Sequence, residues 1–483
     1  MNTIKKTLGR LPKVGITKSF CLTHPHVAAG LVVLASFVGM FLAPGMSNSY
    51  GVYEQEYENL YSGSSGSDNK GSISPVISIG AAHLASTNLF MTIAGVLCER
   101  IGMGLTTLIG ALMVGMGLFT AGFCTKVWQL ALTQGVLAGG GVGTVYIVVS
   151  TIPASWFSKK QGFIIGLVHA GSGVGGLVLA PLTQFIINTR GLSGSLKVLG
   201  LVLVAGLFVT GLGMASKPDE QSDQEDEDTI NAMLSTSDSC SEHKAGSEHK
   251  TSSEHKDIGE HKTESLAMHR LSAHSLDVQD MQGTSGVLRS QEFWYLNVAV
   301  MLAEAGFYVV LFFLPVFSSG IGLTNDQGAM IAGVANGATI IGRIGIGYVA
   351  DVAGNINMFL VSHIAVTLLC VLLWFPAKSY TVMMIFAFTF GLFSGGLAPL
   401  VPLCSVTLFG KNGLANNVGL LGIGMVLTTG AAPVVARVFY QKLGQSGGGY
   451  GTVALFCGGI YFLATVSVLA LRVCVSRQLW KKI

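Results

Sequence analysis

Twelve apolar runs, each about 20 residues long, take up most of this 483-residue chain. A helix of about 20 apolar residues is long enough to cross the hydrocarbon core of a bilayer. The pattern therefore predicts an all-α membrane protein with 12 transmembrane helices in two six-helix bundles. We place the helices at residues 27–50, 75–97, 105–124, 127–151, 162–187, 196–216, 292–317, 327–350, 357–375, 381–407, 413–438 and 450–475.

One hydrophilic block, residues 217–289, divides the apolar runs six and six. It holds 16 of the chain's 25 acidic residues, so it cannot bury enough apolar surface to fold alone. We interpret residues 217–290 as a disordered cytoplasmic linker. Its four Glu-His-Lys triplets, which begin at Glu242, Glu248, Glu254 and Glu260, leave metal binding open as an alternative. Low-complexity sequence of mixed charge is more typical of a flexible segment, and no metal or cofactor is predicted.

The positions of lysine and arginine predict which helix ends face the cytoplasm. With the linker set aside and the N-terminus inside, the inside segments hold 13 of these residues and the outside segments 7. Because positive charge favours the cytoplasmic side, the tails at 1–26 and 476–483 are both predicted to be cytoplasmic, flanking bundles at 27–216 and 291–475. The plasma membrane is the default location, with an organellar membrane as the alternative. The basic residues form no long cluster, so nucleic-acid binding is not expected.

The two halves of the chain carry matching sequence marks. GVLCERIG at 95–102 corresponds to GYVADVAG at 347–354, and WFSK at 156–159 corresponds to LFGK at 408–411. Both pairs are separated by the same offset of 252 residues (347 − 95 and 408 − 156). Each mark follows the same helix of its half, which predicts parallel repeats related by an axis along the membrane normal. Such repeats place a substrate cavity between the halves, near the middle of the membrane.

The Gly-x-x-x-acid-x-x-Gly turns resemble the signature of the major facilitator superfamily. The first copy departs from it, because Glu99 replaces the usual aspartate and Met103-Gly104 replace the usual basic pair. The chain is also similar to the monocarboxylate porter family, in its fungal permease-like branch. This similarity is carried by SNSYGVYEQEY, LTQGVLAGGGVG, WFSKKQGFIIGLVHAGSGVGG and ANGATIIGRIGIGYVADVAGNIN, which begin at residues 47, 132, 156 and 335.

The resemblance implies the major facilitator fold and alternating-access transport of small monocarboxylates. In animal members of the family a lysine in the first helix and an acid in the eighth take part in proton and carboxylate binding. Here these positions are occupied by Asn48 and Thr339, whereas the family's arginine is retained as Arg343. The cargo and the coupling to protons are therefore less strongly implied than the family itself.

Two charged residues lie near the middle of apolar runs, where an unpaired charge costs several kcal/mol and is a functional candidate by default. Arg343, in IIGRIGIG, can grip a carboxylate through two parallel hydrogen bonds. The structural alternative is an arginine bound to carbonyl groups or to Asp351. Glu304, in VMLAEAGF, can bind a proton, pair with Arg343 or serve as a buried structural carboxyl group.

Several polar residues within predicted helices are further candidates for substrate binding or coupling. His169 lies in a helix that lines the cavity of this fold, and an imidazole group titrates near neutral pH. A packing role is its alternative, as it is for the weaker candidate His83. The remaining candidates, which can orient a polar ligand, are Asn48, Asn88, Tyr146, Tyr308 and Asn336.

Charged residues at the predicted cytoplasmic rim form a candidate gate. Glu99, Arg100, Asp351 and Lys159 can make ion pairs between helices that break when the halves rock. The alternative is ordinary positive charge on the cytoplasmic side, which is how we interpret Lys411.

The leading interpretation is a secondary active transporter of a small monocarboxylate, with or without a coupled proton. Its expected partners are a small organic anion, H⁺ and the lipid bilayer; an accessory membrane subunit is left open. One alternative keeps the fold and carries another small organic solute, such as a polyol, a vitamin or a drug-like compound. A second is a membrane receptor that transports nothing. An enzyme is not predicted, because the sequence offers no nucleophile–base pair or metal-ligand constellation.

Overall fold

The computed structural model describes residues 24–62, 76–214, 284–443 and 451–476. Its first-half helices are α1 Pro25–Asn48, α2 Tyr50–Ser62, α3 Ile77–Ile101, α4 Met103–Ala121, α5 Val127–Trp156 and α6 Gln161–Gly213. The second half contains α7 Thr284–Arg289, α8 Gln291–Gly320, α9 Asn325–Ala353, α10 Asn355–Trp374, α11 Tyr380–Phe409, α12 Leu414–Leu443 and α13 Gly451–Val475. No strand occurs within these ranges.

Eleven continuous helical segments in the described part of the chain are long and apolar enough to cross a membrane. One of them, α6, has 53 residues and is interrupted at Gly191, whose φ of 72° is not helical. At 1.5 Å per residue it would extend about 80 Å, more than twice the thickness of the hydrocarbon core. The helix therefore contains two spans joined at Gly191, and the predicted fold of 12 spans is confirmed.

The segment after the first span differs from its prediction. Glu54, Glu56 and Glu58 fall between the helices predicted at 27–50 and 75–97, where we expect a polar loop, but they lie on α2, which begins two residues after α1 ends. Tyr53 and Tyr57 share one face of α2 and are almost fully buried. Burial of these two rings stabilises the helix, and the carboxylates occupy its other positions.

The end of the predicted linker also differs, because Thr284–Arg289 forms the short helix α7 and buries Val287. Residues 215–283, which carry the Glu-His-Lys triplets, lie outside the described residues.

The repeated acidic turns end equivalent helices. Gly102 follows α3 with a φ of 89°, and Gly354 follows α9 with a φ of 98°. Only glycine adopts this conformation without steric cost, which explains why both copies of the motif end in glycine. We call the side of the bundle that carries these two turns the Asp351 end.

Two helix pairs join the halves: α6 packs on α9, and α3 packs on α12. A Cβ atom at Gly162 would overlap the carbonyl oxygen of Gly347, and one at Gly95 would lie 2.6 Å from that of Ala415. Small residues allow backbones this close in a membrane, where helices gain nothing from hiding apolar surface from lipid. The halves are therefore tightly closed against each other at the Asp351 end.

The surface of the bundle is apolar, as a bilayer requires. Large hydrophobic side chains on different helices are more than half exposed, including Leu112, Val209, Leu372, Leu427 and Phe462. Eight of the candidate residues discussed below instead line a cavity between the halves.

Candidate substrate site

A cavity of about 140 Å³ lies between the two halves. Both halves contribute to it: α1, α3, α5 and α6 from the first, and α8, α9, α11 and α12 from the second. Eight of the nine residues predicted to bind substrate or to couple transport line it: Asn48, His83, Asn88, Tyr146, His169, Glu304, Tyr308 and Arg343. The space can hold one small solute among these side chains.

Arg343 of α9 reaches across to the first half. Its Nη1 donates hydrogen bonds to the carbonyl oxygen of His169 at 3.0 Å and to Ser172 Oγ at 2.5 Å, both on α6. The side chain is 8 % exposed. Gly166, one turn before His169 on α6, lets the helices approach, since a Cβ atom there would overlap the Arg343 carbonyl oxygen.

The opposite edge of the Arg343 guanidinium group is not used by the described residues. Nε is buried and has no hydrogen-bond partner there, and Nη2 makes no hydrogen bond there either. Nε and Nη2 donate in parallel, which matches the two oxygens of a carboxylate. Arg343, which lines the cavity, therefore retains two parallel donors that no described residue uses.

Glu304 of α8 is the acidic residue of the cavity lining. It interacts electrostatically with Arg343 but does not approach it within 4.0 Å, the limit for an ion pair, and it makes no hydrogen bond within the described ranges. The phenol groups of Tyr146 and Tyr308 lie in the same electrostatic cluster. The lining thus contains one cation and one carboxylate that balance each other at a distance.

His169 is buried next to this cluster, with a relative exposure of 1 %. The ring of Tyr146 packs edge-on against it, with 5.8 Å between ring centroids. Its Nε2 has no hydrogen-bond partner in the described part of the chain, and its carbonyl oxygen receives Arg343. His169 therefore holds Arg343 through its backbone rather than through its ring.

The two asparagines of the lining tie helices together. Asn48 Nδ2 donates to the carbonyl oxygen of Ser172 at 3.1 Å and so joins α1 to α6. Asn88 Nδ2 donates to Thr429 Oγ1 at 3.1 Å and so joins α3 to α12 across the two halves. The side-chain oxygens of both residues make no hydrogen bond within the described ranges.

Asn336 does not line the cavity. It lies two helical turns before Arg343 on α9, where its side chain is exposed and donates to the carbonyl oxygen of Ala332 at 3.1 Å. The spacing of seven residues places it on the Arg343 face of the helix but at a different depth. Two residues that we did not single out from the sequence, Ser47 and Ser172, do line the cavity.

The predicted gate residues are arranged differently from the expected ion pairs. Asp351 of α9 accepts hydrogen bonds from the backbone N–H groups of Gly162 at 2.7 Å and Phe163 at 2.9 Å. It therefore caps the first turn of α6 in the other half. The Glu99 carboxylate lies next to Gly413 at the start of α12, the equivalent place in the repeat.

The lysines and the arginine at this end have unequal roles. Arg100 and Lys159 are exposed and make no hydrogen bond or ion pair with described residues. Lys411, which we had interpreted as ordinary positive charge, donates to the Phe157 carbonyl oxygen at 3.1 Å and to Ser158 Oγ at 3.2 Å. Among the charged residues singled out at this end, Asp351 and Lys411 make the hydrogen bonds between the halves.

Two six-helix halves with a polar cavity between them are the architecture of a secondary transporter, which exposes one site alternately to either side of the membrane. A sequence profile described as Major Facilitator Superfamily matches residues 26–416. The chain belongs to this superfamily and is a secondary transporter of its kind, not an enzyme.

Two proteins that are similar in sequence to this chain are named as transporters. The MFS-type transporter opdF of Penicillium oxalicum is 25% identical over 450 residues, covering 93% of this chain and 91% of that protein. Monocarboxylate transporter 12 of Rattus norvegicus is 24% identical over 380 residues, covering 77% of this chain and 72% of the relative.

The fold also matches solved structures. The proton:xylose symporter XylE bound to 6-bromo-6-deoxy-D-glucose superposes with a TM-score of 0.64 at 12% identity, covering 91% of this chain and 95% of that one. At 12% identity this match is evidence for the fold alone. The predicted major facilitator architecture is confirmed.

Proposed function

We propose that this protein carries a small monocarboxylate together with a proton. The observation that carries the proposal is that Arg343 lines a cavity between the halves while its Nε–Nη2 edge has no hydrogen-bond partner among the described residues. The similarity to monocarboxylate transporter 12 points to the same class of cargo. A carboxylate on this edge would gain two charge-assisted hydrogen bonds.

The position of Arg343 links binding to movement of the halves. Arg343 belongs to the second half, and its Nη1 is bound to the His169 carbonyl oxygen of the first half. A carboxylate on the other edge would lie between the halves and contact side chains of both. As the halves rock, the contacts of Asp351 and Lys411 at the Asp351 end would break and the site would open to that side.

The charges of the cavity favour a proton as the companion of the anion. Arg343 and Glu304 balance each other in the empty site, so a carboxylate adds one negative charge in a place shielded from water. A proton bound in or beside the cavity restores the balance. Loaded and empty sites would then carry the same net charge, which allows both to cross the membrane field.

A second candidate function keeps the fold and changes the cargo to an uncharged organic solute. It is favoured by Asn48 and by Thr339, which occupy positions where the family resemblance places a lysine and an acid. The hydroxyl and amide groups of the lining, such as Tyr146, Tyr308 and Asn88, suit a polar neutral ligand. With an uncharged cargo, the negative charge of Glu304 would balance Arg343 throughout the transport cycle.

Uptake into proteoliposomes tests these alternatives. Labelled lactate, pyruvate, acetate and glycerol would be offered with and without an inward proton gradient. Carboxylate uptake driven by the gradient is expected. Uptake of glycerol alone would contradict the proposal that the cargo is a monocarboxylate. Carboxylate uptake that does not depend on the gradient would contradict the coupling to protons.

The orientation and the location are part of the proposal. We infer that both termini and the Asp351 end face the cytoplasm and that the protein resides in the plasma membrane, from the distribution of lysine and arginine. Labelling of a cysteine introduced at Lys159 with a membrane-impermeant maleimide is expected only after permeabilisation of intact cells. Labelling of intact cells would reverse the orientation.

A further inference from the structure

His83 lies where the cavity meets a polar network inside the first half. Its Nε2 is 2.8 Å from Ser47 Oγ on α1, and its Nδ1 is 3.1 Å from the backbone carbonyl oxygen of Gln134 on α5. Both His83 and Ser47 line the central cavity. The two ring nitrogens of this histidine are therefore both hydrogen-bonded, and the partner of Nε2 is a residue of the cavity lining.

The carbonyl group of Gln134 determines the tautomer of His83. A carbonyl oxygen only accepts hydrogen bonds, so Nδ1 must carry the hydrogen. In the neutral ring Nε2 is then the base and accepts from the hydroxyl group of Ser47. The basic nitrogen of His83 is thus hydrogen-bonded to a hydroxyl group of the cavity lining.

This arrangement accepts a proton without displacement of heavy atoms. When Nε2 gains a hydrogen it becomes the donor to Ser47 Oγ, and the hydroxyl hydrogen of Ser47 rotates away. The bond from Nδ1 to Gln134 is unchanged. The network therefore fits both protonation states, as a residue that binds and releases a proton in every cycle must.

The ring of His83 packs among residues of α2 and α5. Tyr50 of α2 stacks on it, with ring centroids 6.2 Å apart and planes inclined by 17°. Gln134 lies in the π-helical segment Ala131–Ala138 of α5, an irregularity that often accompanies functional sites. Its side-chain Oε1 accepts from Tyr57 Oη at 2.5 Å, which holds this segment in place.

The other titratable and charged groups near His83 come from α2 and from across the cavity. They are Tyr50 and Tyr57 with Glu54 and Glu58 behind Tyr50, and Tyr146, His169, Glu304 and Arg343 on the cavity lining. Among these, Arg343 and Glu304 balance each other, and a proton on His169 would place a second cation next to Arg343. His83 is free of that conflict, since its direct neighbours are Ser47, Gln134 and Tyr50.

We propose that His83 is the proton-binding residue of the transport cycle, linked to the cavity through Ser47. This assignment rests on the proposed symport of a carboxylate and a proton. The negative charge of a bound carboxylate stabilises the imidazolium ring, and the imidazolium ring in turn stabilises the carboxylate. By linkage each ligand raises the affinity for the other, which is the requirement for coupled transport.

Nitrogen-15 NMR of the full-length, histidine-labelled protein in lipid nanodiscs tests the assignment without any substrate. The His83 signal is identified as the one absent from His83→Gln. Ser47→Ala, which keeps the histidine, should shift the same signal and so provides the identification if His83→Gln does not fold. We expect the Nδ1–H tautomer at high pH and protonation of Nε2 between about pH 5 and 8.

An Nε2–H tautomer, or a ring that stays neutral over this range, would overturn the assignment. His363→Gln is the matched control: His363 is also buried and bonded to a carbonyl oxygen, that of Phe359 at 2.8 Å, but it lies on α10 away from the cavity. This variant should leave the His83 signal unchanged.

Binding of pyruvate in weakly buffered solution, followed with a pH-indicator dye, provides the functional test. The wild-type protein and His363→Gln should take up protons on binding. At pyruvate concentrations high enough to saturate it, His83→Gln should lose this proton uptake, and its affinity for pyruvate should be lower, because glutamine can keep the hydrogen bonds but cannot become charged. Uptake that persists in His83→Gln would overturn the role of His83.

Two other outcomes concern the proposed function. Pyruvate binding to the wild-type protein without proton uptake would overturn coupling itself, and with it the role of His83. Absence of binding by pyruvate, lactate and acetate would overturn the carboxylate site. The NMR titration would then still decide whether His83 binds a proton.

Discussion

The carboxylate of Asp351 accepts a hydrogen bond from the backbone N–H of Gly162 at 2.7 Å and thereby caps a helix of the opposite half. The positive end of a helix dipole favours a negative charge by roughly 0.3–1 kcal/mol, and more where the site is partly buried. This contact belongs only to the arrangement in which the Asp351 end is closed. It therefore contributes to the balance between the two states of the transporter.

Asp351→Asn should shift that balance toward opening. The amide keeps the shape of the side chain but lacks the charge, so we expect a loss of about 1 kcal/mol, or about fivefold in the ratio of closed to open states. Spin labels at Lys159 and Asn412, both exposed at this end, report the change by double electron–electron resonance. An unchanged distance distribution would show that the cap does not hold the closed state.

Gly347→Ala tests the close contact between α6 and α9. A Cβ atom at Gly347 would overlap the Gly162 carbonyl oxygen, so the closed arrangement should be lost and transport strongly slowed. Gly345→Ala, two residues earlier on α9, is the control because a Cβ atom there meets nothing within 4 Å. Equal uptake rates for the two variants would contradict the packing argument.

Arg343→Lys separates charge from geometry at the substrate site. Lysine keeps the positive charge but cannot present two parallel donors. We expect KM for the carboxylate to rise on the order of 10- to 100-fold, as for the loss of one charge-assisted hydrogen bond, while Arg343→Ala abolishes uptake. Arg190→Lys, at an exposed position on α6, should behave like the wild-type protein. A normal KM in Arg343→Lys would exclude two-point binding.

Glu304→Gln removes the negative charge that balances Arg343 in the empty cavity. The substrate carboxylate would then no longer compete with Glu304 for the positive charge of Arg343 and would leave the site slowly. We therefore expect net uptake to be abolished in a protein that still folds. Glu56→Gln on α2 serves as the control. Thermal stability and size-exclusion profiles show whether the variants are folded, and normal net uptake by Glu304→Gln would remove this residue from the site.

Much of the fold was predictable, because apolar length and glycine turns act locally. The runs of about 20 apolar residues indicated twelve spans, and the turns ending at Gly102 and Gly354 indicated the repeat. Helix α2 was not predicted, since Glu54, Glu56 and Glu58 resemble loop residues until Tyr53 and Tyr57 are seen to be buried.

The site was predictable where a charge interrupted an apolar run, as at Arg343 and Glu304. Ser47 and Ser172 gave no such signal, because a serine hydroxyl group is common in membrane helices and its direction depends on packing. Asn336 was included on residue type alone, and the sequence does not encode its depth in the cavity. Lys411 was underestimated because its partners, the Phe157 carbonyl oxygen and Ser158, belong to the other half.

Because residues of both halves line the cavity, its geometry has a consequence for inhibitors. A solute that contacts Arg343 in the second half and α6 in the first half stabilises the contact between two halves that must separate during transport. A higher affinity for the solute therefore lowers the rate of transport. On the proposed function, a monocarboxylate with a bulkier body than the cargo would fill the cavity more completely and hold the halves together, so we expect blockers of transport among enlarged analogues of the cargo.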